Sequence, residues 1–444
     1  MREATSAPRR EHPVFFFNGV KATTITSWSA TRIICSVPTG AETGNVFMVV
    51  SGFSSNVKTF TVEPVVSNNG AAVWQQYDTS EGESRRHVYS RNYLAGTGWE
   101  NLGSAATRLD DDLATEVGNS GRPQISFDSS GNAIAVWYQY DDSEGADRYH
   151  IYARRYVAGT GWENLGSTAT RLDDDLATES GNSLYPKIAF DSSGNAIAVW
   201  EQSDDSEGED RYHIYARRYV AGTGWENLGS VATRLDDDLA TEVGSSRRPQ
   251  IAFDSSGNAM AIWYQQDDSE VAIRNHIYAR RYVAGTGWEN LGSTATRLDD
   301  DLATESGSST YPEIALDSSG NAIAIWQQND TSEVASREHI YARRYVAGTG
   351  WENLGSAATR LDDDLATESG NSYLPKIAMD SSGNAIAVWY QYDTSEVASR
   401  THIYARRYVA GTGWENLGST ATRLDDDLTT ESGISQYPEI AFPK

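Results

Sequence analysis

Cysteine is almost absent from this chain of 444 residues. Cys35 stands alone, which excludes an internal disulfide framework and a cysteine-rich metal site; its alternation with Ile33 and Val37 reads as a strand residue rather than a reactive thiol. No apolar run reaches the roughly 18 residues that a membrane-spanning helix needs. Basic side chains are the scarce charge, 36 against 62 acidic ones, for a net charge of −26. So acidic a chain suits neither phosphate backbones nor anionic membranes, so neither nucleic acid nor membrane insertion is expected. Sustained apolar spacing of the helical kind is missing. So are G-x-S-x-G, H-E-x-x-H and a phosphate-binding glycine loop. The amino terminus, Met1 to Pro8, has no apolar segment of the secretory type, and the chain is expected to be a fragment of a longer, exported protein.

Aromatic residues are plentiful, with 13 Trp and 24 Tyr, which is the composition of a chain that buries a core and not of a disordered acidic one. Many of them recur. Trp74, Trp137, Trp200, Trp263, Trp326 and Trp389 each end an AVW or AIW string at intervals of 63, and Trp99, Trp162, Trp225, Trp288, Trp351 and Trp414 recur in GTGWE at the same interval. Six such units span Val62 to Glu439. Within a unit, Ile188 to Asp191 and Ala196 to Trp200 flank a Ser-Ser-Gly-Asn turn, the signature of a hairpin. His213 to Val220 reads as a third strand, and a fourth begins near Trp225. Four strands in a meander, repeated six times, predict an all-β fold: a six-bladed β-propeller of four-stranded blades. A β-solenoid is the structural alternative. The small Ala196 and Ala198 alternating with Ile197 and Val199 suit radial blades. Residues 440–442 are expected to close the ring by pairing with residues 71–74 as the innermost strand of the first blade.

Residues 1–63 differ, carrying a net charge of +2 where the remainder carries −28. This break predicts two domains, 1–63 and 64–444. The segments Val14 to Val20, Ala22 to Ser29, Ile33 to Ala41, Val46 to Val50 and Thr59 to Val62 resemble part of the IPT/TIG family of immunoglobulin-like domains, which implies a partial Ig-like β-sandwich. The repeat itself, DSSGNAIAVW followed by HIYARRYVAGTGWENLG, resembles a bacterial repeat of secreted and cell-surface proteins. That resemblance implies an extracellular or cell-surface location.

A meander sends the tight turns Asp-Ser-Ser-Gly-Asn and Ala-Gly-Thr-Gly to one end of the blades and the acidic loops to the other. Variation between units concentrates at the acidic end. The position after the AVW tryptophan reads Gln75, Tyr138, Glu201, Tyr264, Gln327 and Tyr390. The pairs placed just before each inner strand read Gly121-Arg122, Leu184-Tyr185, Arg247-Arg248, Thr310-Tyr311, Tyr373-Leu374 and Gln436-Tyr437. Aromatic and arginine residues on loops are typical recognition groups, so Tyr138, Tyr185, Glu201, Arg247, Arg248, Tyr264, Tyr311, Tyr373, Tyr390 and Tyr437 are the candidate ligand contacts, against drift in tolerant loops.

The triple-aspartate runs invite a Ca²⁺ site at Asp173, Asp174, Asp175 and Glu179. Their spacing does not match alternating D-x-D-x-D-G loops, and a solvated acidic loop is the competing reading. No other cofactor is expected. The six equivalent histidines, His87 to His402, read as structural hydrogen bonds. The first tryptophan set reads as core between blades, and the second as a blade-edge cap or a sugar-stacking surface. Because six blades supply like residues, the expectation is a protein that is not an enzyme. The leading reading is a monomeric, lectin-like recognition or adhesion protein with several sites for a glycan or a basic protein partner on the acidic face. A structural spacer in a large surface protein is the alternative, and a glycan-active enzyme comes third.

Overall fold

The computed structural model describes residues 14–22, 25–28, 33–35, 44–50 and 53–60, and from residue 69 onward all but 80–83, 111–117, 142–147, 174–180, 205–210, 237–243, 268–272, 300–306, 331–335, 363–369, 394–399, 426–433 and 443–444. The chain divides into two compact units, Met1–Val66 and Ser67–Lys444. Among the described residues there is no helix, hence none long and apolar enough to cross a membrane. The first unit holds two antiparallel sheets. Val14–Phe17 pairs with Val20–Lys21 and Gly44–Val50, and Gly44–Val50 also pairs with Phe53–Ser54 and Lys58–Phe60. Ile25–Trp28 pairs with Ile33–Cys35, which places Cys35 on a strand.

The second unit is a propeller-like succession of antiparallel sheets at the 63-residue repeat. In repeat two the inner strand Ser120–Phe127 pairs with Ala133–Asp141, which pairs with Arg148–Val157. The expected fourth strand is divided: Gly161–Trp162 and Thr170–Arg171 both pair with Arg148–Val157. Between the two pieces, Asn164 takes a positive φ of 54° and Gly166 one of 78°, a left-handed excursion that breaks the ladder. Repeats three to six use the same elements. Repeat one lacks an inner strand among its described residues, so Gly70–Asp78 pairs with Arg85–Leu94 alone. The pairing of residues 440–442 with residues 71–74 is not formed. Residues 434–442 run instead beside repeat six, where the Ser435 amide donates to the Thr401 carbonyl at 2.8 Å. Trp74 is accordingly only half-buried, whereas Trp137, Trp200, Trp263, Trp326 and Trp389 are fully buried.

Strand alternation explains how the repeats pack. Along Ala133–Asp141 the residues Ile134 and Val136 point to one face, and Ala133, Ala135 and Trp137 to the other. The Ile134 and Val136 face packs on Ala196, Ala198 and Trp200 of the next repeat, and Ile197 and Val199 pack on Ala259, Ala261 and Trp263. Large side chains of one sheet thus fill the space that small ones leave on its neighbour. Each indole N–H donates to a glutamine two residues on, as Trp137 does to Gln139 at 3.1 Å, so the one polar atom of the ring is satisfied.

A buried arginine ties each repeat to the one before. The Nε of Arg154 donates to the Leu109 carbonyl of repeat one at 2.8 Å; its Nη1 reaches the carbonyls of Glu163 (3.0 Å) and Asn164, and its Nη2 reaches that of Ser167 (2.7 Å). Arg217, Arg280, Arg343 and Arg406 repeat this set against Leu172, Leu235, Leu298 and Leu361. At the tight-turn end, Asp128 Oδ1 accepts from the amides of Ser130 and Asn132, both at 2.8 Å. Ser192 there donates to the Ser255 carbonyl 63 residues on, at 3.0 Å.

Replacing Arg280 by Met keeps the stem and removes the guanidinium, leaving four carbonyls without their donor. Hydrogen bonds to charged groups contribute ~1.5–3 kcal/mol each. The R280M protein is expected to lose at least about 3 kcal/mol in a urea-unfolding experiment. A surface change at half-exposed Arg281, whose Nη1 pairs with Glu289 at 3.2 Å, should cost about 0.5 kcal/mol or less.

Candidate functional site

Five of the six variable pairs are strand residues, not loop residues. These five lie inside an inner strand at a β-bulge, where the register against the second strand shifts between Gly121 and Gln124, Leu184 and Lys187, Arg247 and Gln250, Thr310 and Glu313, and Tyr373 and Lys376; Gln436-Tyr437 takes the equivalent place in a segment that forms no strand. The physical reason is proline. Pro123, Pro186, Pro249, Pro312, Pro375 and Pro438 bring no N–H to the ladder, and the residue before each takes a positive φ: Arg122 51°, Tyr185 51°, Arg248 56°, Tyr311 50°, Leu374 46° and Tyr437 56°. Six non-glycine residues in the left-handed region are an uncommon feature, and such strain concentrates at functional sites.

The residue before each of the six prolines lines one cavity of about 320 Å³, and the residue after each proline lines it too. Two layers result. The bulge layer holds Arg122, Tyr185, Arg248, Tyr311, Leu374 and Tyr437. The layer beneath holds Gln124, Lys187, Gln250, Glu313, Lys376 and Glu439. Because the bulge pairs near Tyr138 and Gln139, toward the Asp141 end of the second strand, the bulge layer lies toward the end that carries the acidic loops. Asp173 follows Thr170–Arg171, which runs antiparallel to the third strand, so Asp141 and Asp173 share that end, opposite Ser129 and Gly159.

The lower layer is hydrogen-bonded. Lys376 Nζ pairs with Glu313 Oε1 at 2.7 Å and with Glu439 Oε1 at 3.5 Å. Gln250 donates to Glu313 Oε1 at 3.2 Å, and Lys187 donates to Gln124 Oε1 at 3.2 Å. Burial pushes the Glu313 carboxyl above its ordinary value against the pull of Lys376. It pushes the Lys187 ammonium below its ordinary value, with Glu313 opposing. For Lys376 the effect of burial is outweighed by Glu313 and Glu439, which hold its proton on.

The position after each tryptophan lies on the second strand and reaches the bulge of the next repeat. Gln75 Oε1 accepts from the Arg122 amide at 2.9 Å, Glu201 Oε2 from the Arg248 amide at 2.8 Å, and Gln327 Oε1 from the Leu374 amide at 3.3 Å. In the alternate repeats the partners are tyrosines, and Tyr390 lies 6.2 Å from Tyr437. Glu201 is fully buried and also pairs with Arg247 at 3.6 Å. Burial raises its pKa; the Arg248 amide and Arg247 pull it back. Tyr138 is buried, Tyr264, Tyr373 and Tyr390 are partly buried, and burial raises the pKa of Tyr264, Tyr373 and Tyr390. Of the ten candidates, Tyr185, Arg248, Tyr311 and Tyr437 line the cavity, and the others stand behind it. Arg122, Lys187, Glu313, Lys376 and Glu439 also line it and were not among those candidates. Their signal was present in the sequence as residues one before and one after a recurring proline.

The Ca²⁺ candidate meets different chemistry. Asp173 is buried, its Oδ2 2.9 Å from His150 Nδ1 and its Oδ1 3.2 Å from Arg171 Nε. The same His-Asp-Arg set holds Asp110, Asp236, Asp299, Asp362 and Asp425. Burial would raise the Asp425 carboxyl, but hydrogen bonds from His402, Ser435 and Arg423 hold it below its ordinary value. Asp174, Asp175 and Glu179 lie outside the described residues. Among the described residues no group of three or more His, Cys, Asp or Glu could hold a metal ion.

No family model and no curated protein matches the chain. Solved structures similar to it include an α-L-arabinanase of Penicillium chrysogenum (12% identity, 63% of this chain and 80% of that one, TM-score 0.39) and an α-L-arabinofuranosidase of Fusarium graminearum (13%, 67% and 84%, TM-score 0.40). An ulvan lyase is similar over 81% of each chain at 11% identity and a TM-score of 0.43. The expectations of a non-enzymatic recognition protein and of a chain that is not an enzyme are corrected here: these neighbours are glycan-active enzymes, the third of the sequence readings. The sequence argument also fails on this chain's own residues. Like blades do not supply like residues at the cavity: equivalent positions carry Arg, Tyr or Leu before the proline and Gln, Lys or Glu after it.

Glu201 supplies a pH test. With its folded pKa raised, it contributes stability that is fully present below its ordinary value of 4.5 and lost as pH rises through the folded value. Glutamine fills the same position in repeats one and five and accepts the same amide. The E201Q protein is therefore expected to be more stable than the parent at neutral pH, by about 1–2 kcal/mol. The gain should disappear in denaturant melts below pH 4.5, where both side chains are neutral. A gain that persists there would contradict this account of the buried carboxyl.

Proposed function

We propose that the chain is a glycan-active enzyme working at the axial cavity, with Glu313 as proton donor and Lys187 as base. The observation that carries this reading is the convergence of six inner segments on one cavity where tyrosine rings border a carboxyl and an amine that burial drives toward their neutral forms. In its protonated form, which burial favours, the Glu313 carboxyl can donate its proton to the leaving glycosidic oxygen as the C–O bond breaks. Lys187 in its neutral form can take the proton of the water that attacks the anomeric carbon, or of the carbon beside a uronate carboxyl where the bond breaks by elimination. Tyr185, Tyr311 and Tyr437 offer faces on which sugar rings stack. The reading includes six blades about one axis, supported by the six equivalent bulge residues around a single cavity. It also includes an Ig-like first domain, supported by the two antiparallel sheets of the first unit, and an extracellular or cell-surface location, where polysaccharide is met.

The test is turnover on a panel of neutral and acidic polysaccharides, followed by reducing-end release and by the ultraviolet absorbance of unsaturated sugars. Glu313→Gln and Lys187→Met are each expected to lower kcat by about 10²–10⁴-fold while the unfolding curves stay cooperative. Full activity in either variant would remove that residue from the reaction, and no turnover on any polysaccharide would overturn the reading.

A further inference from the structure

The axial cavity opposes the charge of the chain that contains it. The whole chain is strongly acidic, yet the cavity is lined by Arg122, Arg248, Lys187 and Lys376 against two carboxylates, Glu313 and Glu439. Both carboxylates lie in the lower layer and are engaged by Lys376. The bulge layer has no carboxylate at all.

Within that layer two guanidinium groups converge on one ring. Arg248 lies 3.9 Å from the centroid of Tyr185, and Arg122 lies 5.3 Å from it. Among the described residues no carboxylate pairs with either side chain. Buried Glu201, which feels the charge of Arg248, spends its oxygens on the Arg248 amide and on Arg247. Bringing two like charges over a single ring is unfavourable unless an anion completes the arrangement, and planar guanidinium forks match carboxylate and sulfate oxygens. The left-handed φ at both arginines aims these side chains by backbone geometry.

We infer that the cavity takes an anionic saccharide, its carboxylate or sulfate ester held between Arg122 and Arg248. This rests on the reading of the cavity as the glycan site and adds the class of glycan.

Calorimetric titration tests it, using the full chain carrying Glu313→Gln so that binding is read without turnover. The probes are an oligogalacturonate, a sulfated galactan oligosaccharide and a neutral arabino-oligosaccharide. Either charged probe should bind at least about tenfold more tightly than the neutral one, and its affinity should fall as salt is raised. Adding Arg122→Gln, and separately Arg248→Gln, should each weaken the charged probe about tenfold or more and leave the neutral probe unchanged. A preference for oligogalacturonate assigns a carboxylate, and a preference for the galactan assigns a sulfate. Arg122 is exposed, so its variant decides the matter if the Arg248 variant fails to fold. Equal binding of neutral and charged probes, or wild-type affinity in Arg122→Gln, would overturn the inference even where the parent enzyme cleaves a neutral glycan. Charged-probe binding by a parent that cleaves nothing would uphold it and sink the catalytic reading instead.

Discussion

The buried arginine between repeats is the constraint on which the second unit depends. Its guanidinium is desolvated, and a buried charge is tolerated only when its donors are used. Arg217 uses them on the carbonyls of Glu226, Asn227 and Ser230 in its own repeat and of Leu172 in the preceding one. The loop it caps interrupts the fourth strand, so its carbonyls have no ladder to join. The divided strand and the arginine therefore require each other. The Leu172 contact makes each repeat incomplete without its predecessor, as stacked repeats generally are. Arg91 in repeat one caps its own loop through Glu100, Asn101 and Ser104.

The same economy governs the axis. Proline after each bulge residue removes a ladder donor, and the left-handed residue before it turns its own amide toward the previous repeat. There Gln75, Glu201 or Gln327 accepts it. This explains a pattern that otherwise looks like drift. The second-strand position alternates between Gln or Glu and Tyr, and the bulge residue that follows 47 positions later is Arg, Arg or Leu after the first kind and Tyr after the second. The coupled unit at the axis is thus two repeats long, twice the period of the scaffold.

Much of the fold is legible in residues. The 63-residue period, the hairpin turns and the alternation of small and large residues along Ala196–Val199 lead to strands and to packing between sheets, which apolar contacts such as that of Ile134 with Ala196 and Trp200 realise. The histidine reading anticipates a structural hydrogen bond but not its acceptor, because the first aspartate of each acidic run is 23 residues away and looks like the rest of a solvated loop. The axial site was harder to see for a definite reason. Residues beside proline in a strand pattern suggest a loop, and only the register shift reveals that the strand continues through them. Buried Glu201 shows the same limit: its charge suggests exposure, and its amide partner belongs to the next repeat.

Repetition is poor evidence against catalysis when the repeats meet at an axis. Nearly identical sheets place equivalent backbone positions around one cavity, and the scaffold constrains only the backbone there: proline, the left-handed φ and an acceptor on the neighbouring strand. The side chains projecting inward are released from packing duties that Trp200, Arg217 and His213 carry elsewhere in the repeat. They can therefore diverge while every other position stays alike. In this chain they have diverged into arginine beside tyrosine in one layer and lysine beside glutamate in the next. The unlike residues that a reaction needs arise at the one place where a symmetric scaffold imposes the least on side-chain identity.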